Sequence, residues 1–395
     1  MRVCWCGNSE FDAFSDQYGR CNNCKTLVSL ESLSDEQLIV RDDSKDFYGK
    51  QYWLNHQQED LGLPDIYARS RNDLKERNLH WLKALLKYSI PPAKVLELGC
   101  SHGSFVALMA QAGYQSMGVE MSPWVVEFGR KNFNIPINVG PIENLDIPYQ
   151  SLDAIALMDV LEHLPNPINT MRYCMKLLKP NGFLLIQTPE FHESMDYETL
   201  LEENNPFLKQ LKADEHLYLF SQESVADLLG QIGLTHVYFE PAIFSQYDMF
   251  FVASKAELKT FDVIESYAAL QKTVNGRIAL ALLDLRESEL KQTERLYLSD
   301  KDREARLRKI HILTEKVHVL TQQLENAKAD NLELQESMTQ THKLFEKRLS
   351  GQSSQFEVAL NRRNSQISRL KAQLSNPIVQ ASLKATKMLS RIIRK

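Results

Sequence analysis

Val95-Leu-Glu-Leu-Gly-Cys-Ser-His-Gly-Ser-Phe105 is where this 395-residue chain commits to a fold. An apolar run passes directly into a glycine-bearing turn and then into a helical pattern. In a parallel α/β sheet that arrangement places a nucleoside-type ligand at the carboxyl end of the first strand. The glycines are Gly99 and Gly103 only, and Ser101 stands where a dinucleotide loop needs its second glycine. A pyrophosphate cradle is therefore poorly supported. Glu97 would repel a phosphate but accept a hydrogen bond from an ammonium. Gly118-Val119-Glu120 ends a second apolar run, with an acid placed to take both hydroxyls of a ribose.

Outward from that stretch, short apolar runs alternate with helical patterns from Lys94 to about Ser254. This predicts the α/β class, a Rossmann-like, doubly wound sheet of seven strands. The expected strands are Lys94–Leu98, Gln115–Glu120, Ile137–Val139, Leu152–Met158 and Phe183–Gln187. His236–Glu240 and Met249–Ala253 follow as an antiparallel pair closing the sheet. Pro180-Asn181-Gly182 is expected to turn the chain into the fifth strand. A helical lead-in, roughly Asp43 to Tyr88, precedes the sheet.

Together these residues resemble the class I S-adenosylmethionine-dependent methyltransferases, over about Phe47 to Ala253. VLELGCSHGSF is similar to the family's cofactor-binding motif. Leu152-Asp-Ala-Ile-Ala-Leu-Met-Asp-Val-Leu-Glu-His-Leu164 is similar to its fourth strand and following loop, and LKPNGFLLIQTP (178–189) to its fifth strand. The resemblance implies S-adenosyl-L-methionine as cofactor. It would put Glu97, Gly99 and Cys100 at the methionine end, with Gly103 permitting close packing and Asp159 in the loop beyond the fourth strand. Glu120 would hold the ribose. Pro141 occupies the place where the family often has an Asp, so adenine contact falls to the backbone of Ile142 or to Glu143. Tyr48 and Tyr52 resemble aromatic lid residues of related enzymes; the alternative is that they pack the lead-in helix.

Methyl transfer from a sulfonium is an in-line displacement that mainly requires alignment. A hydroxyl acceptor must also lose a proton, and a histidine suits that task. His163 in Leu161-Glu-His-Leu164 is one candidate, either as base or as a loop-ordering residue. His216 is the other, beside Glu215 in Asp214-Glu-His-Leu-Tyr-Leu-Phe-Ser221, a segment that resembles the acceptor region of sugar methyltransferases. Carbon-methylating relatives carry a Tyr shortly before that Glu-His pair. Ala213 stands there here, which favours oxygen methylation.

Four of the six cysteines lie in the first 24 residues, as Cys4, Cys6, Cys21 and Cys24. Two close pairs across a short loop suit a structural Zn²⁺; a disulfide reading is weaker in a reducing compartment. Cys174 reads as a packing residue, as does Cys100 apart from the resemblance. From about Arg286 the texture changes. In heptads counted from Ile310, positions a are Ile310, Val317, Leu324, Asn331, Met338 and Phe345, and positions d are Leu313, Leu320, Ala327, Leu334 and Thr341. This predicts a coiled coil, a dimer or a trimer. After Ser350-Gly351 a second phase runs through Phe356, Leu360, Ile367, Leu370 and Leu374. Beyond Asn376-Pro377, Ile378, Ala381, Ala385, Met388, Leu389, Ile392 and Ile393 share one helical face, opposite Lys384, Lys387, Arg391, Arg394 and Lys395. Such a basic amphipathic helix suits an anionic membrane surface, or packs on a partner.

Charge follows the same division. The net charge is -5, yet the segment after Glu357 has nine Lys and Arg and no acid, leaving a net of -14 on the first 357 residues. An acidic catalytic portion without an aromatic-basic groove argues against nucleic acid as partner. No run of about 18 apolar residues suggests a membrane span. The expected domains are a knuckle at 1–42, the methyltransferase domain with its lead-in at 43–260, linker and coiled coil at 261–375, and the basic helix at 376–395.

A cysteine knuckle, a methyltransferase domain and a coiled coil in series resemble bacterial O-antigen chain terminators. That resemblance implies an O-methyltransferase acting on a sugar of a lipid-linked polysaccharide, peripheral on the cytoplasmic face of the cell membrane. Its sharpest form is capping of the chain end, beside a glycosyltransferase or polymerase. Methylation of nucleotide-linked sugars, or a scaffold that recruits a glycosyltransferase, are the alternatives.

Overall fold

A computed structural model describes residues 2–31, 33–56, 64–349 and 356–392. Residues 1–294 form one compact unit and residues 295–395 another.

The first unit is organised by a seven-stranded sheet. In chain order its strands are β4 (Lys94–Leu98), β5 (Gln115–Glu120), β6 (Ile137–Val139), β7 (Leu152–Met158), β8 (Leu178–Pro189), β10 (His236–Glu240) and β11 (Asp248–Ser254). In space the order is β10-β11-β8-β7-β4-β5-β6, all parallel except β11, which is antiparallel to both neighbours. Leu96, Ile155, Ala156, Leu157, Leu184 and Leu185 are wholly buried, because helices cover both faces of the central strands. The chain leaves β4 toward β5 and β6, then returns to lay β7 on the other side. The reversal opens a crevice at the carboxyl ends of β4 and β7.

Most of the expected strands form where the apolar runs lie. One expectation is corrected: Pro180-Asn181-Gly182 makes no turn but lies inside β8, which starts at Leu178. Leu178 pairs with Leu152 and Phe183 with Ala154, so a bulge absorbs the extra residues and Pro180 interrupts no regular ladder position. β11 also extends one residue past its expected ends, to Asp248 and Ser254.

The N-terminal cysteine segment folds as β1 (Phe11–Ala13), β2 (Tyr18–Cys21) and β3 (Leu27–Ser29), an antiparallel meander. Its fourth strand, β9 (Tyr218–Leu219), comes from far along the chain. Tyr18 and Leu27 are buried with Phe191, Phe207 and Leu219 in one apolar cluster. The lead-in is helical at Tyr52–His56 and continuously from Ile66 to Tyr88, with wide π-type turns at Tyr52–His56 and Leu74–Asn78. Residues 42–49 are turns rather than helix.

A 76-residue helix, Val274–Leu349, begins in the first unit, where Ala279, Leu280 and Leu283 are buried in the core that also holds Leu270. Within the second unit, helices Phe356–Leu374 and Pro377–Ile392 follow. Ile310, Leu313, Val317, Leu320, Leu334 and Met338 are all exposed in the single chain. The expected register change at Ser350-Gly351, and Ile393, Arg394 and Lys395 of the terminal helix, lie outside the described residues. Among the described residues no helix is long and apolar enough to cross a membrane.

Candidate active site

A cavity of about 810 Å³ occupies the crevice. The loop after β4 contributes Gly99, Cys100, Ser101 and His102, and β4 itself Glu97. Gly99 has φ +67°, and a Cβ there would lie 2.5 Å from Val160 Cγ2. Only glycine lets the β4 turn pass beneath the β7 loop. Glu97 is buried, and its Oε2 has no hydrogen-bond partner among the described residues. Burial, with the charges of Glu120 and Asp73 nearby, holds its carboxyl well above the usual range.

The loop after β7 contributes Asp159, Glu162 and His163. Asp159 has φ +58°, an uncommon conformation for a residue with a side chain, at the point where β7 ends. Its carboxylate is held on both sides, by Arg77 Nη1 at 3.0 Å and Gln187 Nε2 at 2.9 Å. Trp81 Nε1 donates to the Oε1 of that same Gln187. Glu162 is fully buried. Its Oε2 accepts from the Thr188 hydroxyl at 2.9 Å, while Oε1 has no described partner. Burial first, and then the Asp159 charge, push its carboxyl well above the ordinary value.

The segment before β9 contributes Lys212, Glu215 and His216. The Leu217 amide donates to the Glu162 carbonyl at 2.8 Å, tying this segment to the β7 loop. Tyr18 of β2 donates its hydroxyl to the His216 carbonyl at 2.9 Å, and Ser29 Oγ donates to the Ala213 carbonyl at 2.8 Å. The cysteine meander thus holds the loop that carries His216. The rings of His163 and His216 meet edge to face, centroids 4.9 Å apart. His163 Nδ1–H donates to the Glu215 carbonyl at 2.8 Å, and the Tyr48 hydroxyl is 3.1 Å from the same nitrogen. His216 Nδ1–H donates to the Gln210 carbonyl at 2.7 Å. Because a carbonyl only accepts, both protons are fixed on Nδ1, and the Nε2 atoms carry the lone pairs. Burial lowers both imidazoles from their ordinary value, His216 the further of the two.

Four expected cofactor residues stand outside this lining. Gly103, at φ +77°, caps the helix Ser104–Ala112 and packs against Ile135 and Ile137. Glu120 ends β5 with its carboxylate taken by the amides of Ser101, Met121 and Ser122 at 3.0, 2.7 and 3.2 Å. Ile142 is 1% exposed in the core, because a short 3₁₀ turn after β6 swings it inward. Glu143 accepts from Thr170 on the outer surface. Residues of the lead-in pack beside Glu120 instead: the Ser122 hydroxyl donates to Asp43 at 2.9 Å, and Tyr52 and Trp53 cluster with Val125, Tyr48 and Trp124. Tyr52 and Trp53 also line the cavity, and Tyr52 donates to Glu215 Oε2 at 3.1 Å. Both readings of the aromatics therefore apply to Tyr52, which packs and also faces the cavity.

Asp248, Arg77 and Gln187 are cavity or supporting residues that sequence reasoning missed. Asp248 opens β11 and is pushed up to about 8 by burial and by the nearby Asp159 charge. A glutamine at 187 inside an otherwise apolar strand was the one available signal, since a buried amide needs partners.

The four N-terminal thiols also converge. Cys4 Sγ lies 3.5 Å from Cys24 Sγ, and Cys6 Sγ lies 3.6 Å from Cys21 Sγ. One ligand atom from each falls within 4.8 Å of the others. Zn–S bonds of about 2.3 Å in a tetrahedron place sulfurs about 3.8 Å apart, so the set fits zinc. All six cysteines are free thiols.

The strand order, the antiparallel β11 and the crevice after β4 define a Rossmann-like methyltransferase fold, and residues 68–238 match the family described as "Methyltransferase domain". Residues 68–238 thus form a methyltransferase domain. Among curated proteins it is 32% identical, over 108 residues, to a "Ubiquinone biosynthesis O-methyltransferase" of Xanthomonas campestris pv. campestris, covering 26% of this chain and 45% of that protein. It is 30% identical over 105 residues to one of the same description from Haemophilus ducreyi, covering 24% and 44%. The chain spans less than half the length of these relatives. A solved S-adenosylmethionine-dependent methyltransferase of Thermotoga maritima superposes with a TM-score of 0.37 at 19% identity, over 48% of this chain and 96% of that one.

Proposed function

We propose that this protein is an S-adenosylmethionine-dependent O-methyltransferase whose acceptor is a sugar of a lipid-linked bacterial polysaccharide. The observation that carries the reaction class is the cavity: Glu97 with its unpartnered buried oxygen on the β4 side, and Glu162, His163, Glu215 and His216 gathered on the other side. The residues fit the cofactor. The Glu97 carboxylate suits the ammonium of its methionine end, and Gly99 leaves room for the chain to pass. When bound, the cofactor supplies an electrophilic methyl on a sulfonium. The protein's share is alignment and removal of the acceptor proton, for which the Nε2 lone pairs of His163 and His216 are the available bases. The Glu120 carboxylate would take the ribose once the lead-in around Asp43 moves away from Ser122.

The sugar acceptor, and capping of a chain end as its sharpest form, is supported by the order of segments: four cysteines, catalytic domain, long helix, basic amphipathic helix. We take the exposed heptad residues as the seam of a homo-oligomer, dimer or trimer. The terminal helices would lie on an anionic membrane surface and place the protein at the cytoplasmic face. Mass spectrometry with linkage analysis of the surface polysaccharide, with and without the gene, tests this. A methyl on the non-reducing terminal sugar alone, lost together with length control, is expected. Methyl groups on internal repeats, or an unchanged glycan, would overturn it.

A second reading follows the printed description of the relatives, in which the acceptor belongs to ubiquinone biosynthesis. It predicts that gene loss alters the quinone pool and leaves the polysaccharide unchanged.

A further inference from the structure

We propose that Glu162, His163 and His216 form a binding site for a divalent transition-metal ion at the acceptor side of the cavity. The proposal deepens the methyltransferase reading and rests on it for the ion's role. Ligand atoms of the three side chains lie within 4.8 Å of one another, and His163 Nε2 is 3.9 Å from Glu162 Oε1. Two features mark this as more than a polar cluster. First, Glu162 is 0% exposed and its Oε1 is left without a hydrogen-bond partner among the described residues, while Thr188 orients the other oxygen. A buried carboxylate oxygen without a partner is costly, and such atoms call for an explanation. Second, each imidazole has its Nδ1–H on a backbone carbonyl, Glu215 for His163 and Gln210 for His216. That is the outer-shell arrangement which fixes a metal-binding histidine with its Nε2 lone pair toward the ion.

Two imidazoles and one carboxylate suit zinc, manganese or iron(II), with open positions for further oxygen ligands. Bonds of about 2.0–2.2 Å require the three atoms to close up by roughly an ångström, within reach of side-chain rotation. Glu162, His163 and His216 all line the cavity, so an acceptor with adjacent hydroxyls bound there would complete the shell. An oxygen so held gives up its proton to water more readily. It then forms its bond to the methyl carbon as the carbon–sulfur bond breaks, with that electron pair going to sulfur. With the ion in place, His163 and His216 are ligands and not bases.

The full-length protein, purified without chelator so that the cysteine set keeps its metal, is equilibrated with MnCl₂. Total divalent metal is measured by mass spectrometry, and bound Mn²⁺ by pulsed electron paramagnetic resonance. Wild type should hold one more divalent ion per chain than Glu162→Gln or His216→Ala, with both variants retaining their cysteine-bound zinc. The bound Mn²⁺ of wild type should show nitrogen couplings from imidazole, a readout that needs no variant. Equal metal in all three proteins, or bound Mn²⁺ without nitrogen coupling, would overturn the site. Calorimetry with S-adenosylmethionine is run separately. Failure of cofactor binding alone would strike the methyltransferase reading and leave the metal site standing.

Discussion

Gly99 and His102 sit three residues apart in the β4 loop and test different physics. Alanine at 99 must adopt φ +67° and place its Cβ 2.5 Å from Val160. Gly99→Ala is expected to destabilise by about 1–3 kcal/mol and to weaken S-adenosylmethionine binding, read by thermal melting and calorimetry. His102 is 1% exposed and its pKa is lowered to about 3 by burial first, then by the Arg69 charge. The folded pKa lies below the unfolded value of about 6.5, so the unfolded chain binds the proton first. His102 therefore costs stability progressively as pH falls from about 6.5 toward 3, at about 1.4 kcal/mol per unit. Melting at pH 7 and pH 5 should show a smaller acid loss in His102→Asn than in wild type. An unchanged difference would place the acid sensitivity elsewhere.

Among the elements, the cysteine meander is tied to the loop that carries His216 through Tyr18 and Ser29. If the cysteine set holds the zinc that its geometry fits, Cys21→Ser should lose that ion, melt at a lower temperature and reduce turnover more than cofactor affinity, because the loop carrying His216 loses its support. Tyr18→Phe should cost about 1 kcal/mol of stability and show the same turnover bias with the zinc retained. Preserved turnover in a zinc-free Cys21→Ser protein would refute that coupling. The central strands and the thiol cluster were legible in the chain, since unbroken apolar runs and paired cysteines are local signals. β9 was not: two residues, Tyr218 and Leu219, become a strand only because β3 lies beside them. The Arg77–Asp159 ion pair, which joins positions 82 apart, carries no local pattern either. Pro180 misled because proline reads as a turn, whereas a bulge in β8 itself, opposite Asp153 of β7, lets it lie in a strand.

At the scale of the whole molecule, Ile310, Val317, Leu320 and Leu334 are exposed, and the homo-oligomer we propose would cover them. A chain ending at residue 294 should sediment as a monomer and keep cofactor binding, whereas the full chain should sediment as a dimer or trimer. Vesicles containing anionic lipid should retain the full chain at low salt and release it as salt rises; neutral vesicles should not retain it. Cofactor chemistry was legible from motif to motif. The cover over Glu120 was not, because it depends on residues near Asp43 meeting Ser122. The most direct test of the central claim is calorimetric titration of the purified full chain with S-adenosylmethionine. The account predicts one site per chain, lost in Glu97→Ala and weakened in Glu120→Ala. Absence of binding by the intact, folded protein would contradict it.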